Sequence, residues 1–493
     1  MKIRYLSIAV FSLVCFWLSR PVMALEGQPY VHDPATIMQC DGKYYTYGTG
    51  GSGLVSDDGW TWRSGTQLPQ RGAAPDVIHI GDKYIVAIGA TGGGLGGGHN
   101  GRILTLWNKT LDPQSPDFKF SQAVVVASSD GIEDCDAIDP GLCLAPDGRL
   151  WCTYGTFFGF TRIVELDPNT GERIEGNEPV NIAIDCEATD LIYRDGWYYL
   201  LGDHGTCCNG VTSTYNIRVG RSKSPTGPFL DNQGIDMLKG GGKLVIAANN
   251  RKLGPGHFGL TDLGGGVQKF SCHYESDMDD PGHFGVLDIR ALLWKDGWPV
   301  AGDEFNGGTF EIESERTGYA LEMGVDSVTL GGGGGRGGMG MGIMGGRGGR
   351  GGRGGGAPAI PIPDQNVTDV SKNWPEHNLD ARLGDYMLQA HQKWTITPVA
   401  NAEGFLGSPA FKITIAGTDR ALCATENAEL TVVPAFNGQP DQLWRIDQII
   451  DGTWRIMPKV LPGYALTAIG FSTPSLVKYD PNSDKARWNF RKP

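Results

Sequence analysis

The chain has 493 residues, of which 20% are charged and 10% aromatic, and its formal net charge is −13 at pH 7. That length favours two or more domains. An acidic surface argues against nucleic acids and anionic membranes as partners and suits a neutral substrate. Beyond the N-terminus, no stretch is long and apolar enough to predict a membrane span.

The first 24 residues predict a secretory signal peptide. Lys2 and Arg4 precede an apolar run from Leu6 to Leu18, and a small residue stands at Ala24. The run is shorter than the roughly 20 residues that a membrane helix needs. We therefore expect a protein that is secreted or periplasmic after cleavage near Ala24.

From about residue 27 to residue 302, short alternating strands are separated by Gly, Asp and Pro, which predicts an all-β domain. One strand motif recurs five times, and this repetition predicts a five-bladed β-propeller. A β-sandwich is the alternative. The five motifs are GKYYTYG near Tyr45, DKYIVAIG near Tyr84, GRLWCTYG near Trp151, GWYYLLG near Tyr198 and VQKFSCHY near Phe270.

Three carboxylates, Asp33, Asp139 and Glu187, each stand nine residues before the glycine of an Asp-Gly turn. In a propeller the first strands of the blades surround a central channel, so residues at one offset are predicted to converge there. A sandwich does not explain this offset. Carboxylates that share a cleft raise one another's pKa, so that one acts as an acid and another as a base. Inverting glycoside hydrolysis uses such a pair, about 6.5 to 9.5 Å apart.

Several pieces of the sequence resemble glycoside hydrolase family 43, and most of all its arabinan endo-1,5-α-L-arabinanases, over roughly residues 28 to 302. The run CCNGVTSTYNIRVGRS is the most specific of them, and short pieces such as HDP are weak alone. The pieces are HDP at 32–34, APD at 74–76, DAIDP at 136–140, YGTFFG at 154–159, EATD at 187–190, the CCNGVTSTYNIRVGRS run at 207–222, GPGH at 254–257 and DIRALLW at 288–294.

The resemblance implies a five-bladed propeller, inversion of the anomeric centre and a role for each carboxylate. Asp33 matches the base that activates water, and Glu187 matches the acid that protonates the leaving oxygen. Asp139 matches a third carboxylate that orients the acid and tunes its pKa. His257 resembles a histidine that approaches a central calcium ion, although one imidazole makes a calcium site only if waters complete the oxygen shell.

The resemblance further implies substrate contacts at Asp76, Phe157 and Arg290, with a structural ion pair as the alternative for Arg290. It implies arabinan or a related pentose polysaccharide of the plant cell wall as substrate, with no organic cofactor. An exo-acting arabinofuranosidase or β-xylosidase, and a non-catalytic polysaccharide-binding protein, are the alternatives. Gly72 and Ala73 replace an aromatic residue common before APD, and the loop 90–101 is glycine-rich, so the cleavage mode stays open.

Cys207 and Cys208 are adjacent in the most specific run. Adjacent cysteines form a vicinal disulfide, bind a metal or pack as small apolar residues. No second cysteine pair stands at zinc-ligand spacing, which argues against zinc. Simple packing is the expectation.

Residues 303–493 contain three repeats that predict a β-trefoil resembling ricin-type lectin domains. The repeats begin at Leu321, Leu422 and Leu466 and end at Trp394, Trp444 and Trp488, with separations of 73, 22 and 22 residues. The sugar-binding acid of such lectins falls at Glu322, whereas the other two repeats carry Cys423 and Thr467 instead. The glycine-rich tract 331–357 lengthens the first repeat and predicts a flexible insertion.

Overall fold

The structure is a computed structural model that describes residues 25–90, 100–129, 136–156, 159–325 and 374–493. The predicted signal peptide, the insertion 331–357, Phe157 and most of the loop 90–101 lie outside the described residues. Within the described ranges, no helix is long and apolar enough to cross a membrane.

Five antiparallel sheets in succession form the five blades, so the predicted propeller is confirmed. Blade one contains β1 (Glu26–Gly27), β2 (Met38–Cys40), β3 (Lys43–Tyr47), β4 (Ser52–Ser56) and β5 (Thr61–Gln67). Blade two contains β6 (Ala73–Ile80), β7 (Lys83–Ala90), β8 (Arg102–Asn108) and β9 (Val124–Ser128). Blade three contains β10 (Gly141–Leu144), β11 (Leu150–Tyr154), β12 (Phe160–Leu166) and β13 (Val180–Ile184). Blade four contains β14 (Glu187–Arg194), β15 (Trp197–His204), β16 (Asn216–Ser222) and β17 (Lys243–Ile246). Blade five contains β18 (Lys252–Asp262), β19 (Gln268–Asp277), β20 (Val286–Lys295) and β21 (Trp298–Ala301).

The recurring sequence motif is the strand that follows the first hairpin turn of each blade, namely β3, β7, β11, β15 and β19. In blades one and four this turn is an Asp-Gly pair in which both residues have positive φ: 49° and 78° at Asp41 and Gly42, and 50° and 78° at Asp195 and Gly196. Two left-handed central residues make the tight turn whose twist matches the paired strands. The motif therefore marks one hairpin in every blade.

One apolar cluster fills each of the five contacts between neighbouring blades, which explains why all the blades need the same alternating pattern. Between blades one and two, for example, Tyr45 and Tyr47 pack with Val86 and Ile88, and all four are at most 1% exposed. Comparable clusters lie between blades two and three, three and four, four and five, and five and one.

The segment before β2 closes the ring by joining blade five to blade one. The amide of Val31 donates to the carbonyl of Gly285 at 2.9 Å, and the amide of Leu287 donates to the carbonyl of Pro29 at 2.7 Å. Strand β1 then pairs in parallel with β5 of blade one. Residues directly before Asp33 are thereby tied to blade five.

The C-terminal region is a second β unit with its own apolar core. In each predicted repeat, the indole Nε1 of the last tryptophan donates to the carbonyl of the first leucine. The distances are 2.7 Å from Trp394 to Leu321, 3.1 Å from Trp444 to Leu422 and 2.8 Å from Trp488 to Leu466. The strands of this region are β22 (Gly308–Ser314), β23 (Ala320–Met323), β24 (Leu379–Gly384), β25 (Trp394–Pro398), β26 (Phe411–Ile415), β27 (Ala421–Ala424), β28 (Leu430–Val433), β29 (Trp444–Ile450), β30 (Thr453–Pro458), β31 (Tyr464–Ile469), β32 (Thr473–Lys478) and β33 (Trp488–Arg491).

The C-terminal unit docks on blades one and five through buried contacts. The ammonium of Lys269 lies 3.3 Å from Asp447, a fully buried carboxylate that Arg445 and Arg455 also contact at 2.7 and 3.0 Å. Leu406 packs into the apolar cluster between blades five and one. A buried charge with several partners fixes the orientation of two surfaces, because an unpaired charge there would be costly.

Asp76 links three blades. One of its carboxylate oxygens accepts from the amide of Thr36 in blade one at 3.0 Å, and the other accepts from the amide of Leu142 in blade three at 2.8 Å. Asp76 is only 5% exposed. Both oxygens are engaged by backbone, so the side chain holds the inner strands together, and the substrate contact of Asp76 stays a prediction.

We expect Asp76→Asn to lower the free energy of unfolding by about 1–3 kcal/mol, because one buried amide then faces a donor instead of an acceptor. Thermal or denaturant unfolding measures this effect. Asp82→Asn in the same blade is the matched control, since Asp82 is exposed. Equal stability of the two variants would contradict the linking role.

Candidate active site

At a matching place at or before its first strand, each blade has one residue other than glycine in left-handed backbone. These residues are Asp33 (φ 53°), Ala74 (44°), Asp139 (51°), Ala188 (45°) and His257 (64°). Such backbone costs about 1–3 kcal/mol for a residue with a side chain and collects at functional sites. One strained position is thus repeated in all five blades.

This position corrects the predicted equivalence of the three carboxylates. In blades four and five the strand register shifts between Glu187 and Asp190 and between Gly256 and Gly259, around the left-handed Ala188 and His257. Asp33, Asp139 and His257 therefore occupy the same backbone position, and Glu187 lies one residue earlier in its blade. The three carboxylates share the interval of nine residues to the turn glycine, but Glu187 does not share the backbone position of the other two.

Three histidines surround the Asp33 carboxylate. His32 Nδ1 lies 2.9 Å from one oxygen, and the Nδ1 atoms of His257 and His273 lie 3.8 Å from the other. The Thr49 hydroxyl also donates to the oxygen that His32 contacts. Burial alone would raise the pKa of Asp33, but the charge of His32 and its hydrogen bond hold it below its ordinary value. Asp33 is therefore an ionised carboxylate.

The His32 imidazole is the cation in this arrangement. Burial alone would lower its pKa, but the charge and the hydrogen bond of Asp33 raise it to about 10. By contrast, burial lowers the pKa of His257 and of His273, so both are neutral near pH 7. His273 Nδ1 accepts from the Asp33 amide at 3.1 Å, which requires the unprotonated nitrogen.

Glu187 has the opposite environment. It is 3% exposed, and the Tyr215 hydroxyl donates to its Oε1 at 2.7 Å. Burial raises its pKa to about 7, with the Tyr215 hydrogen bond opposing the shift and the charges of Asp33 and Cys208 supporting it. Gly256 lets this contact form, because a Cβ there would collide with the Tyr215 ring. Glu187 therefore carries its proton up to about neutral pH.

Two further carboxyls lie beside Glu187. Burial raises the pKa of Asp139 well above its ordinary value, and the charges of Glu187 and Asp33 add to the shift. Asp203 is fully buried, pairs across the hairpin with Glu187 and accepts from the His257 amide at 2.6 Å. Burial raises its pKa as well. The pKa of Asp33 is therefore shifted in the opposite direction to those of Asp139, Glu187 and Asp203.

The protein atoms near His257 do not by themselves make a calcium site. Calcium takes six to eight oxygen ligands, whereas Asp33 presents one oxygen 3.8 Å from His257 Nδ1 and has its other oxygen bonded to His32 and Thr49. In the described ranges, two groups bring donor atoms within 4.8 Å of one another: His32 with Cys207 and Cys208, and His32 with Asp33 and His273. These groups are rich in nitrogen and sulfur rather than oxygen.

The Arg290 guanidinium is engaged by residues of blade five and of the segment after it, and its substrate contact stays a prediction. Its guanidinium donates to the carbonyl of Gly302 at 2.9 Å, to the Tyr274 hydroxyl at 3.0 Å and to Glu304 at 3.2 Å. It lines the cleft between blade five and the C-terminal unit. The structural ion pair, the alternative reading, is the observed one. Phe157 lies outside the described residues.

Cys207 and Cys208 do not pack as core residues, so that expectation is wrong. Cys208 is exposed and Cys207 partly exposed, whereas the other six described cysteines are buried. Their Sγ atoms lie 2.7 Å apart. The pair flanks the active site, because both thiols lie close to His32.

The sequence profile of glycosyl hydrolases family 43 matches residues 56–299. The chain is also 31% identical over 295 residues to the extracellular endo-α-(1→5)-L-arabinanase 1 of Bacillus subtilis (strain 168), a match that covers 55% of this chain and 87% of that protein. The chain belongs to glycosyl hydrolase family 43. It is therefore a glycosidase.

Exo-acting proteins are similar to this family 43 chain to the same degree. It is 32% identical over 214 residues to the extracellular exo-α-(1→5)-L-arabinofuranosidase ArbA of Cellvibrio japonicus (strain Ueda107), covering 40% of this chain and 61% of that protein. The crystal structure of an exo-1,5-α-L-arabinanase from a bovine ruminal metagenomic library superposes with a TM-score of 0.52 at 30% identity, covering 57% of this chain and 100% of that one.

Four residues of the site were not predicted from the sequence of this family 43 glycosidase: His32, Asp203, Tyr215 and His273. Asp203 and His273 are equivalent, because each pairs across its hairpin with the residue before the left-handed position, Glu187 and Gly256. The available signal was a polar residue near the end of two of the recurring strand motifs, in GWYYLLGDH and in VQKFSCHY.

Proposed function

We propose that this glycosidase hydrolyses α-1,5-linked L-arabinan, or a related pentose polysaccharide of the plant cell wall, with inversion. The observation that carries the proposal is the opposite titration of two neighbouring carboxyls. The pKa of Asp33 is held below its ordinary value, whereas the pKa of Glu187 is raised to about 7. An ionised base and a protonated acid are the two groups that inverting hydrolysis requires. The arabinan-acting relatives support the choice of substrate.

In the proposed reaction, Asp33 accepts a proton from the attacking water while Glu187 gives its proton to the leaving sugar oxygen. The His32 imidazolium keeps Asp33 ionised between turnovers. The raised pKa of Asp139 and its closeness to Glu187 suit a residue that orients the acid and opposes its ionisation. Because Glu187 acts as the protonated form, activity should fall as the pH rises through about 7.

Glu187→Gln should reduce kcat on linear arabinan by about 10²–10⁴-fold, because the amide keeps the shape of the side chain but has no acidic proton to give. Binding of arabinan, measured by calorimetry, should persist. Glu172→Gln is the control, since Glu172 is an exposed glutamate of the same propeller. Unchanged turnover by Glu187→Gln would remove Glu187 from its proposed role.

Endo and exo cleavage remain the two readings of this site, since relatives of both kinds match the chain about equally. We propose endo cleavage, in line with the specific CCNGVTSTYNIRVGRS run. Early products from linear arabinan should then be a ladder of oligosaccharides. Arabinose alone from the first minutes would establish the exo reading, and activity on xylan but not arabinan would replace the substrate.

The proposed substrate and the predicted signal peptide both support action outside the cytoplasm. The two relatives are named extracellular. A calcium ion beside His257 stays a prediction, and waters would have to supply most of its oxygen ligands.

We also propose that the C-terminal unit is a β-trefoil that binds the same polysaccharide through Glu322. Three equivalent bonds from a tryptophan to a leucine carbonyl support the threefold repeat. The Glu322 carboxylate accepts from Gln392 at 2.8 Å and keeps 20% of its side chain exposed, so it is oriented and accessible.

Glu322→Ala should weaken retention of the protein on insoluble arabinan several-fold and leave kcat on short soluble arabino-oligosaccharides unchanged. Pull-down with the polymer measures the retention. Glu426→Ala, at an exposed glutamate of the second repeat, is the control. Equal retention of both variants would leave Glu322 with a structural role only.

A further inference from the structure

The pair of adjacent thiols beside the active site has no part in the proposed reaction. Cys207 and Cys208 follow β15, in the loop before the short 3-10 helix Gly210–Thr212. Their sulfur atoms, 2.7 Å apart, are closer than two sulfurs in ordinary van der Waals contact. A small rotation of the two side chains would bring them to the bonding distance of about 2.05 Å.

A buried carboxylate holds this loop in place. Glu275 of β19 accepts from three consecutive amides, those of Cys208, Asn209 and Gly210, at 2.7, 2.8 and 3.0 Å. Cys208 is kept in left-handed backbone, with φ 60°. Strain of this kind persists only where the surroundings fix it. The close approach of the two sulfurs is therefore built by the fold and is not a feature of a free loop.

Cys208 also differs chemically from its neighbour and from most of the buried cysteines: its pKa is lowered, whereas the hydrogen bond with Cys208 raises the pKa of Cys207. A hydrogen bond from Cys207 and another from His32 lower the pKa of Cys208 to about 5, so its sulfur is a thiolate at neutral pH. Burial raises the pKa of Cys143, Cys152, Cys186 and Cys272. Since the thiolate is the reactive form, the exposed pair should react first.

We propose that Cys207 and Cys208 are a site of reversible oxidation, which closes a disulfide between adjacent residues by exchange with a low-molecular-weight disulfide. The Cys208 thiolate attacks one sulfur of that reagent and releases one thiolate. The sulfur of Cys207, which loses its proton to solvent, then attacks the Cys208 sulfur of the mixed disulfide and releases the second. The protein is oxidised by two electrons, and the reagent is reduced to two thiols.

Oxidation removes a negative charge from the active site, and this consequence rests on the proposed function. The Cys208 thiolate is one of the charges that raise the pKa of Glu187. Its loss should lower that pKa, so the alkaline limb of the pH profile should move to lower pH. The other ionisable groups around Glu187 are Asp33, His32, Asp139, Asp203 and Tyr215. Loss of the thiolate also removes one of the interactions that raise the pKa of His32, whose main partner is Asp33.

The test uses the full chain incubated with oxidised glutathione, followed by alkylation and peptide mass spectrometry. We expect the peptide that contains Cys207 and Cys208 to lose two hydrogen atoms, to resist alkylation and to recover both thiols with dithiothreitol. Cys207→Ser should instead stop at the mixed disulfide and carry glutathione on Cys208. Glu275→Gln should slow closure several-fold, because the loop loses one amide acceptor.

Two outcomes would overturn the proposal. One is a wild-type chain whose two thiols stay alkylatable after prolonged exposure to oxidised glutathione. The other is protection that EDTA reverses, which would make the pair a metal site. The chemical readout does not depend on arabinan hydrolysis, so failure of the disulfide and failure of the proposed activity are distinguishable. A pH profile that fails to shift when the disulfide is present would remove the link to Glu187 alone.

Discussion

The ion pair between His32 and Asp33, at 2.9 Å, is the contact on which the chemistry of this glycosidase depends. The carboxyls of Asp33, Asp139, Glu187 and Asp203 lie together, and burial acts to raise the pKa of each of them. The imidazolium reverses this effect for Asp33 only. Glu187, whose nearest polar partner is a neutral phenol, keeps its proton to about pH 7. Base and acid are thus separated by their partners and not by their chemical type.

The propeller supplies the geometry for this separation. Each blade places one left-handed residue near its first strand, and two of these five residues carry carboxylates and one an imidazole. The second strands of blades four and five add Asp203 and His273 at matching positions. The apolar clusters between blades and the carboxylate of Asp76 hold the five positions in register. The blades therefore share one backbone conformation at this position and differ in the side chain that it carries.

Much of the fold was predictable from the sequence because repetition is visible in the chain itself. The GWYYLLG-type strands predicted the five blades, and the equal spacing from Leu422 to Trp444 and from Leu466 to Trp488 predicted a repeat. The structure shows that each of these tryptophans donates to the carbonyl of its leucine. The site was predicted less completely. The interval from Glu187 to its turn glycine could not reveal the register shift before Asp190. Nor could sequence distance show that Arg290 pairs with Glu304, or that both oxygens of Asp76 accept from backbone amides.

Measuring the pKa of Glu187 tests whether this carboxyl keeps its proton to about neutral pH, as the proposed acid must. Carbon-13 NMR of protein labelled at the glutamate carboxyl carbons, with Glu187→Gln used to assign the resonance, follows this group through a pH titration. We expect the Glu187 carboxyl to titrate with a midpoint of about 7. A midpoint of about 4.3, the ordinary value for a glutamate, would contradict it.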